Sequence, residues 1–297
     1  MEGIKLSNGV ELPLIGMGTW QIGDREVLTR LIETGRRLGY SLIDTAAAYS
    51  NERQIGRALA ETGTGRREVF LSDKVWNTCR GYEKTIAACK ASLKKLKTDY
   101  LDLYLIHWPA SSRQHPDWKE LNADTWRGME ALYREGLVRA IGVCNFQASH
   151  LEELMKTAKV MPMVNQIEFH PGLLQEEIIR FCRENGISVE ASSPLGNGRI
   201  LDNEVLAGIA REKRRTPAQI CLRYALEQGI CVIPKTVSVR RLAENMDIFG
   251  FSLTQEECRQ IEAIPYCGGI GIDPDEAEEI LSGRGNESVY PDPEKPG

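Results

Sequence analysis

Residues 40–53, Tyr40-Ser-Leu-Ile-Asp44-Thr-Ala-Ala-Ala-Tyr49-Ser-Asn-Glu-Arg53, place a carboxylate and a phenol close together in the chain. Leu42-Ile43 reads as a short buried strand that ends in Asp44. Tyr49 lies on the loop that follows, and Ser50-Asn51-Glu52 reads as a helix start with a capping residue. Two further strands end in bases: Val69-Phe-Leu-Ser-Asp-Lys74 in a lysine and Leu101-Asp-Leu-Tyr-Leu-Ile-His107 in a histidine. An ionisable residue closing a buried strand is costly without a partner. Asp44 and Lys74 come from adjacent strands and can pair, which puts Tyr49 and His107 on the same rim. Taken singly, each has a plainer reading, as a capping aspartate, a surface tyrosine or a solvated strand end. Four gathered on one rim, three closing consecutive strands and Tyr49 on the loop after the first, favour a site.

The chemistry that suits these groups is proton donation coupled to hydride transfer. A free phenol, with a pKa of about 10, is a poor acid near neutrality. A nearby ammonium favours the phenolate, so Lys74 is expected to lower the pKa of Tyr49, with Asp44 holding the lysine charged. A neutral His107 can orient a substrate carbonyl or share in a proton relay. As hydride arrives the carbonyl oxygen becomes negative, and these donors stabilise it.

The elements that must position them alternate regularly from Ile15. Strands are expected at 15–18, 40–44, 69–74, 101–107, 138–143, 163–168, 187–191 and 230–234. Helices fall near 24–38, 51–62, 81–97, 122–135, 147–158, 175–185, 202–212 and 238–248, with an extra one near 216–228. The strands are short and apolar without alternation, as when both faces are buried. Eight strand–helix units imply one α/β (β/α)8 TIM barrel. A doubly wound sheet alternates similarly, but no G-x-G-x-x-G follows any strand. Residues 1–14 alternate about Asn8-Gly9, a two-residue hairpin signal, and are expected to lid one end. Residues 15–250 form the barrel. Residues 251–297 supply a helix near 254–263, a loop over the barrel mouth and a loose tail rich in Gly, Pro and acid.

Composition narrows the function class. The 297 residues carry a net charge of -5, which gives no basic footprint for nucleic acid or an anionic membrane. No apolar run is long enough for a membrane span, and the N-terminus lacks the apolar core of a signal peptide. The eight cysteines form no C-x-x-C and no zinc spacing with histidine, so no metal site is expected. Reduced thiols and a cytoplasmic location follow as expectations.

Several motifs resemble the aldo-keto reductase family. They are Asp44-Thr-Ala-x-x-Tyr49-x-Asn-Glu52, Leu103-Tyr-Leu-Ile-His107-Trp-Pro109, Val164-Asn-Gln166-Ile-Glu-Phe-His170-Pro171, Ser193-Pro-Leu-Gly196 and Ile233-Pro-Lys235-Thr-Val. The resemblance runs from about Leu6 to Leu253 and implies a barrel that binds NADP(H) without a Rossmann motif. It also implies a tetrad of Asp44, Tyr49, Lys74 and His107, with Tyr49 as general acid. Cofactor contacts implied in the same way are Gly18, Thr19, Trp20 and Asp44 near the reactive end, and Cys144, Asn145 and Gln166 at the nicotinamide carboxamide. Ser192, Ser193, Leu195 and Asn197 lie along the nicotinamide and pyrophosphate. Lys235, Thr236, Val237 and Arg241 fall at the 2′-phosphate, and Glu244 and Asn245 at adenine. The barrel's usual phosphate place, after the last strand, agrees with Lys235 and Arg240-Arg241.

Four departures from the family pattern stand out. Cys144 replaces the usual serine, but a larger change is Ser192, where the family has an aromatic under the nicotinamide. A lost stack is worth roughly 0.5–1.5 kcal/mol, and another side chain or a shifted loop is expected to cover the ring. The segment after Gly196 is short, which implies fast cofactor exchange. The tail after Asp273 matches no motif. Trp20, Trp76 and Trp108, with Tyr49 and His107, are expected to wall the substrate pocket, and Trp118 in the loop 110–119 to add to its mouth. The implied partner is a small carbonyl compound, an aromatic or medium-sized apolar aldehyde or ketone, and the implied assembly a monomer or weak oligomer. Two other readings compete: a non-catalytic NADPH-binding redox sensor, and a Schiff-base aldolase or lyase using Lys74.

Overall fold

The apolar strands are too short to shelter one another singly, and they bury both faces only by closing on themselves. A computed structural model describes residues 3–269 and 273–276. Its strands are β1 Gly3–Lys5, β2 Glu11–Pro13, β3 Gly16–Gly18, β4 Leu42–Asp44, β5 Phe70–Val75, β6 Leu103–Ile106, β7 Ile141–Cys144, β8 Val164–Glu168, β9 Ser188–Ser192 and β10 Cys231–Val232. β3 to β10 are parallel and pair in sequence order. The bridges Ile15–Val232 and Gly18–Lys235 join the last strand to the first and close the barrel.

Helices α1 Arg25–Leu38, α2 Glu52–Glu61, α3 Tyr82–Leu96, α4 Trp118–Arg134, α5 Ala148–Met155, α6 Glu176–Glu184, α7 Glu204–Lys213, α8 Pro217–Glu227, α9 Val239–Met246 and α10 Gln255–Glu262 follow the strands. α1 shows how the sequence sets them. Asp24 accepts from the amides of Glu26 and Val27, and Gly39, at φ 97°, ends the helix. Between these caps Leu28, Leu31 and Ile32 are buried against the sheet. Each such side chain contributes roughly 1.5–3 kcal/mol. Gly35 lies on the same face because a Cβ there would meet the sulfur of Met17 at 2.8 Å.

The expected barrel order and extra helix are found. Two local readings are corrected. The β1–β2 hairpin closes through three residues, not two: Leu6 N donates to Val10 O, Gly9 N donates to Leu6 O, and Gly9 sits at φ 87°. A type I turn followed by a left-handed residue gives this loop. The hairpin lids the end where strands begin, since Asn8 Nδ2 donates to the carbonyl of Arg139, ahead of β7. Secondly, α4 begins at Trp118, a turn earlier than the apolar pattern predicts. Trp118 therefore belongs to a helix and not to a loop, with its ring edge-on to His150 at 5.6 Å. The tail beyond residue 276 lies outside the described residues.

Candidate active site

Register decides which side chains share the rim. Asp44 is the last residue of β4 and pairs with Ser72, so Lys74 projects one pleat beyond it on β5. Lys74 pairs with Leu105, which puts His107 just past the end of β6. Successive strand residues alternate faces. Lys74 therefore reaches into the barrel while Asp73 turns outward towards the helices.

Lys74 is fully buried. Its Nζ donates to Asp44 Oδ1 at 2.8 Å, to Asp44 Oδ2 at 2.7 Å and to the Thr45 carbonyl at 2.9 Å. Burial alone would favour the neutral amine, but the Asp44 carboxylate and its hydrogen bonds outweigh this, so the lysine pKa is raised. An ammonium held this way is a poor nucleophile.

Tyr49 ends a short 3-10 turn, Ala47–Tyr49, with Lys74 Nζ 5.2 Å from its ring centre. The His107 ring meets Tyr49 edge-on at 5.7 Å, meets Trp76 edge-on at 5.1 Å and stacks on Trp108 at 6.4 Å. Burial first, and then the charge of Lys74, keep His107 neutral by pushing its pKa well below the usual value. This matches the expected neutral imidazole. The expectation for Tyr49 is reversed. Burial, followed by the charges of Asp44, Cys144, Asp73 and Glu190, holds the phenol well above its usual pKa. The lysine's charge is already balanced by Asp44, so it does not acidify the phenol before substrate arrives.

The helix start expected at Ser50-Asn51-Glu52 is present, with Asn51 at the capping position. The Asn51 side chain, however, accepts no hydrogen bond from the first turn of α2. Instead Asn51 Oδ1 accepts from Thr45 Oγ1 at 2.7 Å, and its Nδ2 donates to the carbonyls of Thr19 and Ile22. A fully buried amide thus pins the loops after β3 and β4 and fixes the turn that carries Tyr49. Sequence reasoning missed this, and it missed Glu190, which is buried inside the barrel. Gln166 Nε2 donates to Asp44 Oδ1 at 3.1 Å and to Glu190 Oε2 at 2.5 Å.

The residues expected at the carboxamide meet beside this centre. Asn145, in the left-handed region at φ 63°, directs Nδ2 to the His107 carbonyl at 3.0 Å and to Cys144 Sγ at 3.2 Å. Cys144 Sγ lies 3.6 Å from Gln166 Oε1. Thr19 Oγ1 donates to the Asp44 carbonyl at 2.8 Å, and Gly18 and Trp20 flank it at the end of β3. Ser192 and Ser193 are half-buried at the end of β9, with Ser193 at φ 45°. Leu195 leads into the turn Gly196–Asp202, in which Asn197 and Gly198 are left-handed. Arg199 ties that turn to the Gly269 carbonyl at 2.9 Å.

Beyond β10, Lys235, Val237 and Arg241 are exposed and Thr236 is buried. Ser238 caps α9, its hydroxyl accepting from Arg241 N. No ion pair engages Lys235, Arg240 or Arg241 among the described residues. Asn245 is buried, and Glu244 Oε1 accepts from Thr216 Oγ1 at 2.8 Å. These groups suit a dinucleotide. Uncompensated cations at a helix N-terminus fit a phosphate, and the amides of Asn145 and Gln166, with their NH2 groups already engaged, leave oxygens for a carboxamide.

A cavity of about 350 Å3 opens beside Asn145, lined also by Gln147, Glu168, Gln175 and Tyr266. The tryptophans divide. Trp76 and Trp20 are half-buried at the rim, whereas Trp108 is sealed and packs beneath His107 instead of walling an open pocket. His170 is buried with Nδ1 2.8 Å from the Pro171 carbonyl, a structural placement. Among the described residues no cluster suits a metal, and no helix is long and apolar enough to cross a membrane.

The sequence profile described as the Aldo/keto reductase family matches residues 14–265. Glyoxal reductase of Bacillus subtilis (strain 168) is 47% identical over 93% of this chain and 97% of its own. Methylglyoxal reductase DkgA of Escherichia coli (strain K12) is 40% identical over 92% of this chain and 97% of its own. Among solved structures, an aldo-keto reductase enzyme from a Medee basin deep-sea metagenome library superposes with a TM-score of 0.86 at 39% identity, covering 92% of this chain and 98% of that one. A variant of Gox0644 in complex with NADPH superposes with a TM-score of 0.84 at 38% identity, covering 92% and 97%.

Proposed function

This chain belongs to the aldo/keto reductase family and is an oxidoreductase, and on that premise we propose that it reduces small aldehydes and ketones with NADPH, using Tyr49 as general acid. The observation that carries this reading is the sealed Lys74–Asp44 pair beneath the rings of Tyr49 and His107.

NADPH would be held by Lys235 and Arg241 at its 2′-phosphate and by Asn145 and Gln166 at its carboxamide, and when bound it supplies the hydride. The chain's own residues manage the oxygen. Neutral His107 donates a hydrogen bond to the carbonyl and aligns it with the phenol. Tyr49 gives its proton to the oxygen as the carbonyl carbon is reduced, and the product is an alcohol. The phenolate left behind is stabilised by the Lys74 ammonium and regains its proton from water. A phenol that stays protonated until charge develops on its partner keeps the acid loaded across neutral pH. The same geometry disfavours a Schiff base at Lys74, whose amine is locked as an ammonium. The names of the bacterial relatives point to 2-oxoaldehydes, and the cavity beside Asn145 mixes the polar Gln147, Glu168 and Gln175 with the apolar Ile167 and Leu173. The chain is read as acting as a monomer or weak oligomer.

The test is loss of NADPH absorbance with glyoxal, methylglyoxal, an aromatic aldehyde and an aliphatic ketone, with NADH in parallel and Tyr49→Phe as the blank. Turnover that needs Tyr49 is expected. NADPH binding with no turnover on any carbonyl would favour the redox-sensor reading. A borohydride-trapped adduct on Lys74 would favour the aldolase.

A further inference from the structure

Glu190 is a carboxyl group at the centre of the barrel that the reaction described above does not use. β9 places it in register with Gln166 on one side and Cys231 on the other. The titratable groups that share its space are Asp44 from β4, Tyr49, Lys74 from β5, Cys144 from β7 and Cys231 from β10, and the neutral amide of Gln166 from β8 donates to it. Cys231 Sγ lies 3.7 Å from Glu190 Oε1 and 2.9 Å from the Pro13 carbonyl. A carboxyl in this position is expensive to bury, and an apolar residue would fill the space at lower cost. Burial and the neighbouring Asp44 push its pKa up to about 7.

We propose that Glu190 is a positioning residue for the nicotinamide, holding the Gln166 amide so that Oε1 and not Nε2 is presented to the cofactor. This rests on the reading that NADPH binds at this rim. The two ends of an amide are nearly equal in size, so its orientation is set by its partners. Gln166 Nε2 has two carboxyl acceptors, Glu190 Oε2 at 2.5 Å and Asp44 Oδ1 at 3.1 Å. Asp44 Oδ1 is also engaged by Lys74 at 2.8 Å, and the Cys144 thiol donates only a long contact, 3.6 Å, to Gln166 Oε1, so the short bond to Glu190 is the strongest of the contacts that orient the amide. Asn145 is fixed in the same sense, its NH2 engaged by the His107 carbonyl. Two amides from adjacent strands therefore offer two oxygens, and a carboxamide NH2 has two hydrogens to give. With the Gln166 amide reversed, NH2 would face NH2. A protonated carboxyl keeps an acceptor oxygen, so Glu190 can hold the amide on either side of its titration.

The experiment measures dissociation constants for NADPH and for 2′,5′-ADP, which lacks the nicotinamide, by fluorescence titration and calorimetry. The proteins are the unmodified chain, Glu190→Gln and Glu190→Leu, each checked for thermal unfolding. Glu190→Gln keeps an acceptor for Gln166, and Glu190→Leu does not. Expected is an NADPH affinity about tenfold weaker in Glu190→Leu, restored to within about twofold in Glu190→Gln, with 2′,5′-ADP binding unchanged in both. Unchanged NADPH affinity in Glu190→Leu overturns the proposal. So does equal loss of both ligands, which marks a general structural role, and so does failure of Glu190→Gln to restore binding. Should the unmodified chain bind neither ligand, the nucleotide reading itself falls, an outcome distinct from the others.

Discussion

Lys74 Nζ lies 2.8 and 2.7 Å from the two carboxylate oxygens of Asp44, and neither side chain has meaningful access to water. A buried pair is weak evidence of net stability, but breaking it leaves an uncompensated charge, at a typical cost of 3–5 kcal/mol. Asp44→Asn is expected to lower unfolding free energy by about that amount. Adding Lys74→Met should recover part of it, since the stranded ammonium is then gone. Urea unfolding of the two single variants and the double variant measures this. A strictly additive double variant would mean the pair is not coupled. Turnover should fall in all three.

The phenol of Tyr49 is held protonated by burial and by the charge of Asp44. Reduction requires the protonated form, so the single-turnover rate should stay level with rising pH to at least about pH 9. A fall centred near neutrality, with NADPH still bound, would show that Lys74 acidifies the phenol after all. In Tyr49→Phe the rate should drop by about 10²–10⁴-fold without loss of NADPH affinity.

Lys235 and Arg241 are exposed cations flanking the start of α9. Arg241→Ala is expected to weaken NADPH binding by about tenfold or more and to leave NADH binding within about twofold, because only NADPH carries the 2′-phosphate. Parallel titrations decide it, and equal weakening for both cofactors would move the phosphate site elsewhere.

Ser192 leaves the end of β9 without an aromatic, while Tyr266, 69% exposed, lines the cavity beside Asn145. If that ring serves as the cover, Ser192→Tyr should tighten NADPH binding by less than about twofold and Tyr266→Ala should weaken it by about two- to tenfold. Strong tightening in the first variant would show the face to be open. With the short turn Gly196–Asp202 after β9, NADPH should bind in a single fluorescence phase. A slow second phase would reveal a closure step.

Glu190 titrates up to about 7 in the folded chain, against an ordinary 4.5. The folded state therefore keeps a proton that the unfolded state has released, and stability falls as pH rises through that window. Relative to Glu190→Gln, the unmodified chain should lose up to ~3 kcal/mol between about pH 5 and about pH 8. Parallel stability curves for the two proteins would place the group's titration outside that range.

Much of this was legible in the linear chain because barrel strands announce themselves. A short apolar run ending in a polar residue is readable wherever both faces must be buried, and Asp44, Lys74 and His107 each close one. The hairpin was legible but its loop was not, since Asn8-Gly9 serves two-residue and three-residue turns alike. Asn51 shows a different limit. Its place before α2 marks a cap by local rules, yet its side chain bonds Thr45, Thr19 and Ile22, and such partners are chosen by packing.

The order of residues alone determined the kind of fold, the three polar strand ends with the tyrosine that follows the first, and the basic segment after the last strand, because hydrophobic period and residue chemistry are local properties. The tertiary structure decided the rest. Only closure of the sheet brings Glu190 of β9 and Asp44 of β4 to the same Gln166 amide. Only burial turns Tyr49 from an acidified phenol into a protonated one. Both depend on which charges share a space sealed from water, and that is fixed by strand register and barrel curvature across more than a hundred residues of intervening chain.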